Sequence, residues 1–286
     1  AEAQLRKGDV ELAGDNLRRA VEVAPTDAGA HIKYARYLIT RKELVRALEQ
    51  VDAVLEKDPT NAEAIAAKSE VLAAKGDLAA VKTELLKLKE AAPDNVEASL
   101  RLARVHLAEG NIEAAKAEIA TALAKNDKNL PALMLNTDVL AAAKDMTGLE
   151  TAIKQIKTVA PDSPDGYFRM GRFLRSKGDI AGAVKEYERA YTLAKGQTKS
   201  AMLAEIINTQ LASGQTDQAL ARIEAVLRDE PEHSSASTLL GTVQMARKDY
   251  KAAEAAFNKQ LQISPNSARA YAQLSAAREM QGDKQG

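Results

Sequence analysis

Three triplets of one composition, Lys7-Gly8-Asp9, Lys75-Gly76-Asp77 and Lys177-Gly178-Asp179, are the nearest thing to a chemical motif in this chain. A Lys beside a Gly and a carboxylate suits three roles: a phosphate-binding turn, an adhesive loop of the Arg-Gly-Asp type, or punctuation between helices. A phosphate-binding turn draws on further glycines after a strand. The surrounding "AAKGDLAAV" supplies neither. Punctuation needs only what is present. Lys75 in a last helical turn complements the dipole, Gly76 takes a left-handed conformation that ends the helix, and Asp77 caps the next one.

Other chemistry is scarce. His31, His106 and His233 lie far apart in sequence, and no carboxylate set around them has metal-ligand spacing. The absence of Cys excludes disulfides, thiol catalysis and thiolate metal sites, and fits cytosol and bacterial periplasm equally. Forty basic and forty acidic residues cancel, so no global field draws the chain to nucleic acid or an anionic membrane. No apolar run reaches the roughly 18 residues that a membrane helix needs, so direct membrane insertion is not expected. The expectation is a chain without enzymatic activity, metal or cofactor. Its opening "AEAQLRKGDV" carries neither Met nor a leader, and both ends fall inside a repeat, so the sequence reads as an internal fragment.

The elements that must position any functional residue follow from composition and period. Apolar residues make up 45% of the chain and aromatics 3%, with Ala and Leu dominant, which favours closely packed helices over sheets. Gly8, Gly76, Gly110, Gly178, Gly214 and Gly282 recur at multiples of 34 residues, apart from a spacing of 36 between Gly178 and Gly214. Lys42, Lys144 and Lys248 fill the skipped places. A second comb, Pro25, Pro59, Pro93, Pro161, Pro231 and Pro265, runs 17 residues behind the first. Between the combs apolar residues take helical spacing: in "GDIAGAVKEYERAYTLA", Ile180, Ala183, Val184, Tyr187, Ala190 and Tyr191 share one face. Each period is therefore two antiparallel helices. One pair cannot bury its apolar face alone, so pairs must stack. Asp27, Asn61, Asn95, Asn129, Ser163 and Ser267 stand where N-caps of the next helix belong.

This pattern resembles the tetratricopeptide repeat (TPR) family. The segment from Pro164 to Lys195 matches best, with Tyr167, Gly171, Leu174, Gly178, Ala183, Tyr187 and Ala190 at the signature places. Lys195 stands where Pro is expected, and Leu149 replaces a small Ala in a repeat whose partner position is Thr137. The resemblance implies an all-α fold, a right-handed superhelix of stacked pairs. The register divides a single solenoid fragment, 1–286, into a partial repeat at 1–27, seven repeats at 28–61, 62–95, 96–129, 130–163, 164–199, 200–233 and 234–267, and a partial repeat at 268–286. The two extra residues at "AKGQTKS", 194–200, read as a longer loop or a bend in the superhelix. The Ala-rich, Lys-Gly-Asp-punctuated style also looks like long bacterial TPR proteins of exopolysaccharide and PEP-CTERM-type envelope systems, which favours periplasm or cell envelope over cytoplasm.

For function, the resemblance implies a protein-interaction scaffold that binds a peptide or protein on a concave face lined by first helices, at the fifth, ninth and twelfth repeat positions. The ninth positions read Arg36, Glu70, Arg104, Asp138, Arg172 and Asn208, alternating in sign until the last. Two readings stand: an inter-repeat ion-pair ladder, each exposed pair contributing about 0 to 1 kcal/mol, or a polar rail for a partner, with Arg offering bidentate hydrogen bonds to carboxylates. Phe168, Arg172 and Arg175, beside Tyr167 and Arg169, form the richest cluster, an exposed aromatic among guanidiniums. The family's carboxylate clamp of Lys and Asn is not reproduced in full. The alternative function is a self-assembly module of a larger bacterial envelope complex. A nucleic-acid-binding repeat is opposed by the zero net charge and few aromatics.

Overall fold

The polar residues spaced along the chain act where the backbone most needs them. A computed structural model describes residues 10–282, and among them there are sixteen helices and no strand. The Lys7-Gly8-Asp9 triplet and the final "DKQG" lie outside the described residues. The first helices of successive pairs are α2 (Ala28–Thr40), α4 (Ala62–Lys75), α6 (Val96–Ala108), α8 (Leu130–Ala142), α10 (Pro164–Ser176), α12 (Gly196–Ala212), α14 (Ser234–Ala246) and α16 (Ala268–Met280). Their second helices are α3 (Leu44–Leu55), α5 (Leu78–Ala91), α7 (Ile112–Lys125), α9 (Met146–Val159), α11 (Ile180–Leu193), α13 (Thr216–Asp229) and α15 (Tyr250–Ile263), and α1 (Val10–Val23) precedes them all.

Starts and stops are set locally. Asp27, Asn61, Asn95, Asn129, Ser163 and Ser267 each accept a hydrogen bond from a backbone N–H in the first turn of the helix they precede. Such a cap contributes about 1 kcal/mol. His233 does the same for α14, its Nδ1 accepting from Ala236 N at 3.2 Å. The Lys-Gly-Asp turn at Lys75 is a stop followed by a start. Gly76 sits at φ +80°, Asp77 N donates to Leu72 O at 3.1 Å to close α4, and Asp77 Oδ1 accepts from Ala80 N at 3.0 Å to open α5. Lys42, Lys144 and Lys248 hold the same left-handed turn at φ 62°, 57° and 63°, with no glycine.

The chain packs as two compact units that meet in sequence between Leu149 and Glu150. The division falls at the place where Leu replaces the expected small residue. In the first unit, Ile32, Ala35, Leu38, Ala47, Val51 and Val71 form the first core cluster, followed by one around Leu85, Leu88 and Leu102 and one around Ala115, Ile119 and Val139. In the second, the clusters centre on Ala183, Tyr187 and Ile206, on Leu203, Ile207, Ile223 and Val243, and on Phe257 and Leu274. Each fully buried Val, Leu, Ile or Phe among them contributes about 1.5–3 kcal/mol. Gly171 and Gly241 pack against the rings of Tyr187 and Phe257; a Cβ on Gly171 would stand 2.5 Å from Tyr187 Cε1. The close approach within these pairs sets a glycine against a ring.

The insertion at 194–200 is not a longer loop. α12 begins at Gly196 and runs for 17 residues, so the extra residues extend a helix and leave Ala194 and Lys195 as the connection. Lys195 caps α12 without a side-chain hydrogen bond. With no Pro to stop it, helical backbone takes up the additional length.

Candidate functional site on the first-helix face

Within the first unit the alternating charges do meet, though at a different register from the expected one. Arg36 on α2 reaches Glu63 at 3.2 Å and Glu70 at 3.3 Å, both on α4. Glu70 then accepts from Arg101 on α6 at 2.9 Å, and Arg101 is held from its own helix by Glu97 at 2.9 Å. Arg101 also donates toward Ser69 Oγ at 3.5 Å. The ladder therefore runs Arg36, Glu70, Arg101. Sequence reasoning missed Arg101 because it compared equal repeat positions, whereas the acid one turn back, Glu97, orients this guanidinium. That Glu-to-Arg spacing of four was the available signal.

Arg104 is left out of the ladder. It is exposed on α6 and makes no hydrogen bond or ion pair with the described residues. Asp138 on α8 is exposed and engaged in an interaction of its own. Beside Arg104 lies a cleft of about 290 Å³. Its walls are largely apolar: Ala73, Leu78, Val81, Leu85 and Val105. Ser69, Glu97 and Arg101 complete the rim with Arg104.

In the second unit the expected cluster is present with altered roles. Phe168 is half-buried, not exposed. Its ring lies 5.8 Å from that of Tyr187 and packs near Ala183 and Ile206, because α12 closes over it. Arg172 is exposed, with its guanidinium carbon 6.0 Å from the Phe168 ring centroid, within cation–π range. Arg175 is committed internally, donating to Glu205 Oε2 at 2.8 Å and Thr209 Oγ1 at 3.4 Å on α12. It also faces the Tyr187 ring at 6.0 Å. Burial raises the Tyr187 phenol above its ordinary range, and the nearby Arg175 charge opposes that rise. Asn208 is exposed on α12. Arg169 is half-buried and interacts, and Tyr167 lies against Lys157 with the ammonium 4.6 Å from its ring centroid.

The second helices carry a second ladder that sequence reasoning did not find. Lys89 Nζ donates to both oxygens of Glu118 at 3.0 and 2.9 Å, and Lys157 Nζ to both oxygens of Glu186 at 2.8 Å. Both pairs are 29 residues apart, one repeat less five. The recurrence marks them as stitches between neighbouring repeats.

Two of the His have plain structural roles. His31 is buried, with its ring nitrogens 3.0 Å from Gln50 Oε1 and 3.3 Å from Pro25 O, and His233 is a cap. His106 Nδ1 stands 3.4 Å from Glu109. Among the described residues, no group of three or more His, Asp or Glu could hold a metal ion, and no helix is long and apolar enough to cross a membrane.

Antiparallel helix pairs of similar length, repeating along the chain with shared turn and cap chemistry, define a helical-repeat protein. The Tetratricopeptide repeat models match residues 4–71, 72–135, 164–197 and 205–268. The chain belongs to the tetratricopeptide repeat family. No curated protein matches it in sequence. Among solved structures it is similar to yeast Tom70, at 15% identity and TM-score 0.67, over 96% of this chain and 59% of that one. It is also similar to a tetratricopeptide repeat protein from Parabacteroides merdae, at 16% identity and TM-score 0.57, over 87% and 98%. A third similarity is to the APC/C hetero-tetramer Cut9-Hcn1, at 15% identity and TM-score 0.55, over 91% and 51%. The chain thus spans about half the length of the Cut9-Hcn1 chain. At these identities the likeness is one of fold, a fold typical of protein-interaction scaffolds and generally non-catalytic.

Proposed function

We propose that the chain is a non-catalytic scaffold that binds a peptide or protein partner on its first-helix faces, each of the two units presenting a face of its own. The observation behind this reading is the contrast at the ninth repeat position. Arg36 is neutralised by Glu63 and Glu70, whereas Arg104, Arg172 and Asn208 present exposed polar heads that make no hydrogen bond or ion pair with the described residues. A guanidinium that is not held internally is free to form bidentate hydrogen bonds to a carboxylate of a partner. In this reading Arg36 and Glu70 brace the face of the first unit, where Arg104 makes the contact beside the already engaged Asp138; in the second unit Arg175 braces the face, Phe168 supports Arg172, and Arg172 and Asn208 make the contacts. The seven-repeat division from 28 to 267 and the partial repeats around it belong to the same proposal.

The test is capture from a lysate of the source cell, read by mass spectrometry, with wild-type chain and an Arg104→Glu, Arg172→Glu variant. Loss of the captured partners at unchanged helicity is expected. Equal capture by the two proteins sinks the assignment. Arg36→Glu, which strikes the ladder instead, is expected to lower stability without reversing partner choice.

A further inference from the structure

The cleft beside Arg104 has a small side chain, Ala73, on its wall. In the repeat register Ala73 on α4 corresponds to Ile39 on α2 and Leu107 on α6, both half-buried and packed against their core clusters. Ala73 is exposed on the wall of the cleft of about 290 Å³, where a larger residue would occupy part of the space. Its floor comes from two helices of one repeat and the first helix of the next. Leu78 remains 41% exposed there, although larger neighbours could have covered it.

Charge selects the occupant. Of the three charged groups on the rim, Arg101 and Glu97 neutralise each other at 2.9 Å, and Arg101 is shared with Glu70. Arg104 alone stands at the apolar opening without an ion pair to the described residues. We infer that this cleft is an anchor pocket for a peptide in which a bulky aliphatic side chain stands next to a carboxylate, the aliphatic group filling the space above Val81 and Leu85 and the carboxylate pairing with Arg104. The inference rests on the scaffold reading above and adds the chemistry of the segment that is bound.

The probe is a library of amidated, acetylated heptapeptides displayed against the full chain, with enrichment read by sequencing. Wild type is expected to enrich peptides with Leu or Ile one or two residues from Asp or Glu. Ala73→Leu narrows the cleft with the kind of residue that neighbouring repeats already carry, so folding is retained; circular dichroism checks this, and Ala73→Met provides a second narrowing variant. Both are expected to weaken a selected peptide about tenfold to a hundredfold, the value of burying one aliphatic side chain. Arg104→Gln is expected to remove the acidic preference and keep the aliphatic one. Enriched peptides that bind the narrowed variants as tightly as wild type overturn the anchor pocket and leave the scaffold reading standing. Failure of any peptide to enrich counts against both.

Discussion

Lys42, Lys144 and Lys248 hold a backbone conformation that side chains resist, and replacing each by Gly should stabilise the fold. All three lie at φ between 57° and 63°, in turns where Gly76, Gly110, Gly178 and Gly214 take φ 75° to 82°. A residue with a Cβ in this region carries roughly 1–2 kcal/mol of strain that Gly lacks. Against this, Gly raises the entropy of the unfolded chain, which costs about 0.4–1 kcal/mol. The side chains offer nothing further to lose, since all three are exposed and make no hydrogen bond or ion pair with the described residues. The net expectation is about 0.5–1 kcal/mol of stabilisation per site. The effects of Lys42→Gly and Lys248→Gly should add, because sites without shared partners are independent. Urea denaturation followed by circular dichroism reads the total. Hydrogen exchange reads the location, because a repeat array opens locally and each substitution should slow exchange in the helices flanking its own turn. A fall in stability at two of the three sites, or slowed exchange far from the substituted turn, would refute the strain argument.

Two other outcomes follow from the packing and the ion pairs. Gly171→Ala should destabilise by about 1–3 kcal/mol through overpacking against the Tyr187 ring, even though Ala is the better helix former; an unchanged thermal midpoint would mean that the ring moves aside freely. Glu254 on α15 is held below the ordinary glutamate value of 4.5 by its hydrogen bonds to Arg278 and Gln281. Its contribution to stability is therefore present above about pH 4.5 and lost as pH falls through the depressed value. Glu254→Gln should flatten that acid limb, and a pH titration of the unfolding midpoint that is identical in the two proteins would disprove the coupling.

Local chemistry was the legible part of this chain. Asn61 and Ser163 announce helix starts because few other residue types satisfy the first-turn N–H groups, and Gly76 announces a stop because few others tolerate its conformation. The left-handed Lys residues could be placed only through the 34-residue comb, since nothing in Lys itself favours φ > 0. What the sequence hid depends on side-chain reach between repeats. Arg101 sits three places from the expected partner of Glu70, and Lys89 finds Glu118 at an offset that no equal-register comparison examines. Phe168 looked free because its neighbours Ile206 and Met202 come from the next repeat, where α12 is longer than the comb implied. The cleft was invisible for a related reason: its walls come from three helices of two successive repeats.

Because Nδ1 of His233 accepts the Ala236 N–H, its proton must sit on Nε2 in the folded chain. One tautomer is thereby locked by a helix start, while in a frayed helix the two would exchange. The ring nitrogens of His233 are thus a built-in spectroscopic gauge, reporting in a nitrogen NMR spectrum whether this one repeat is closed.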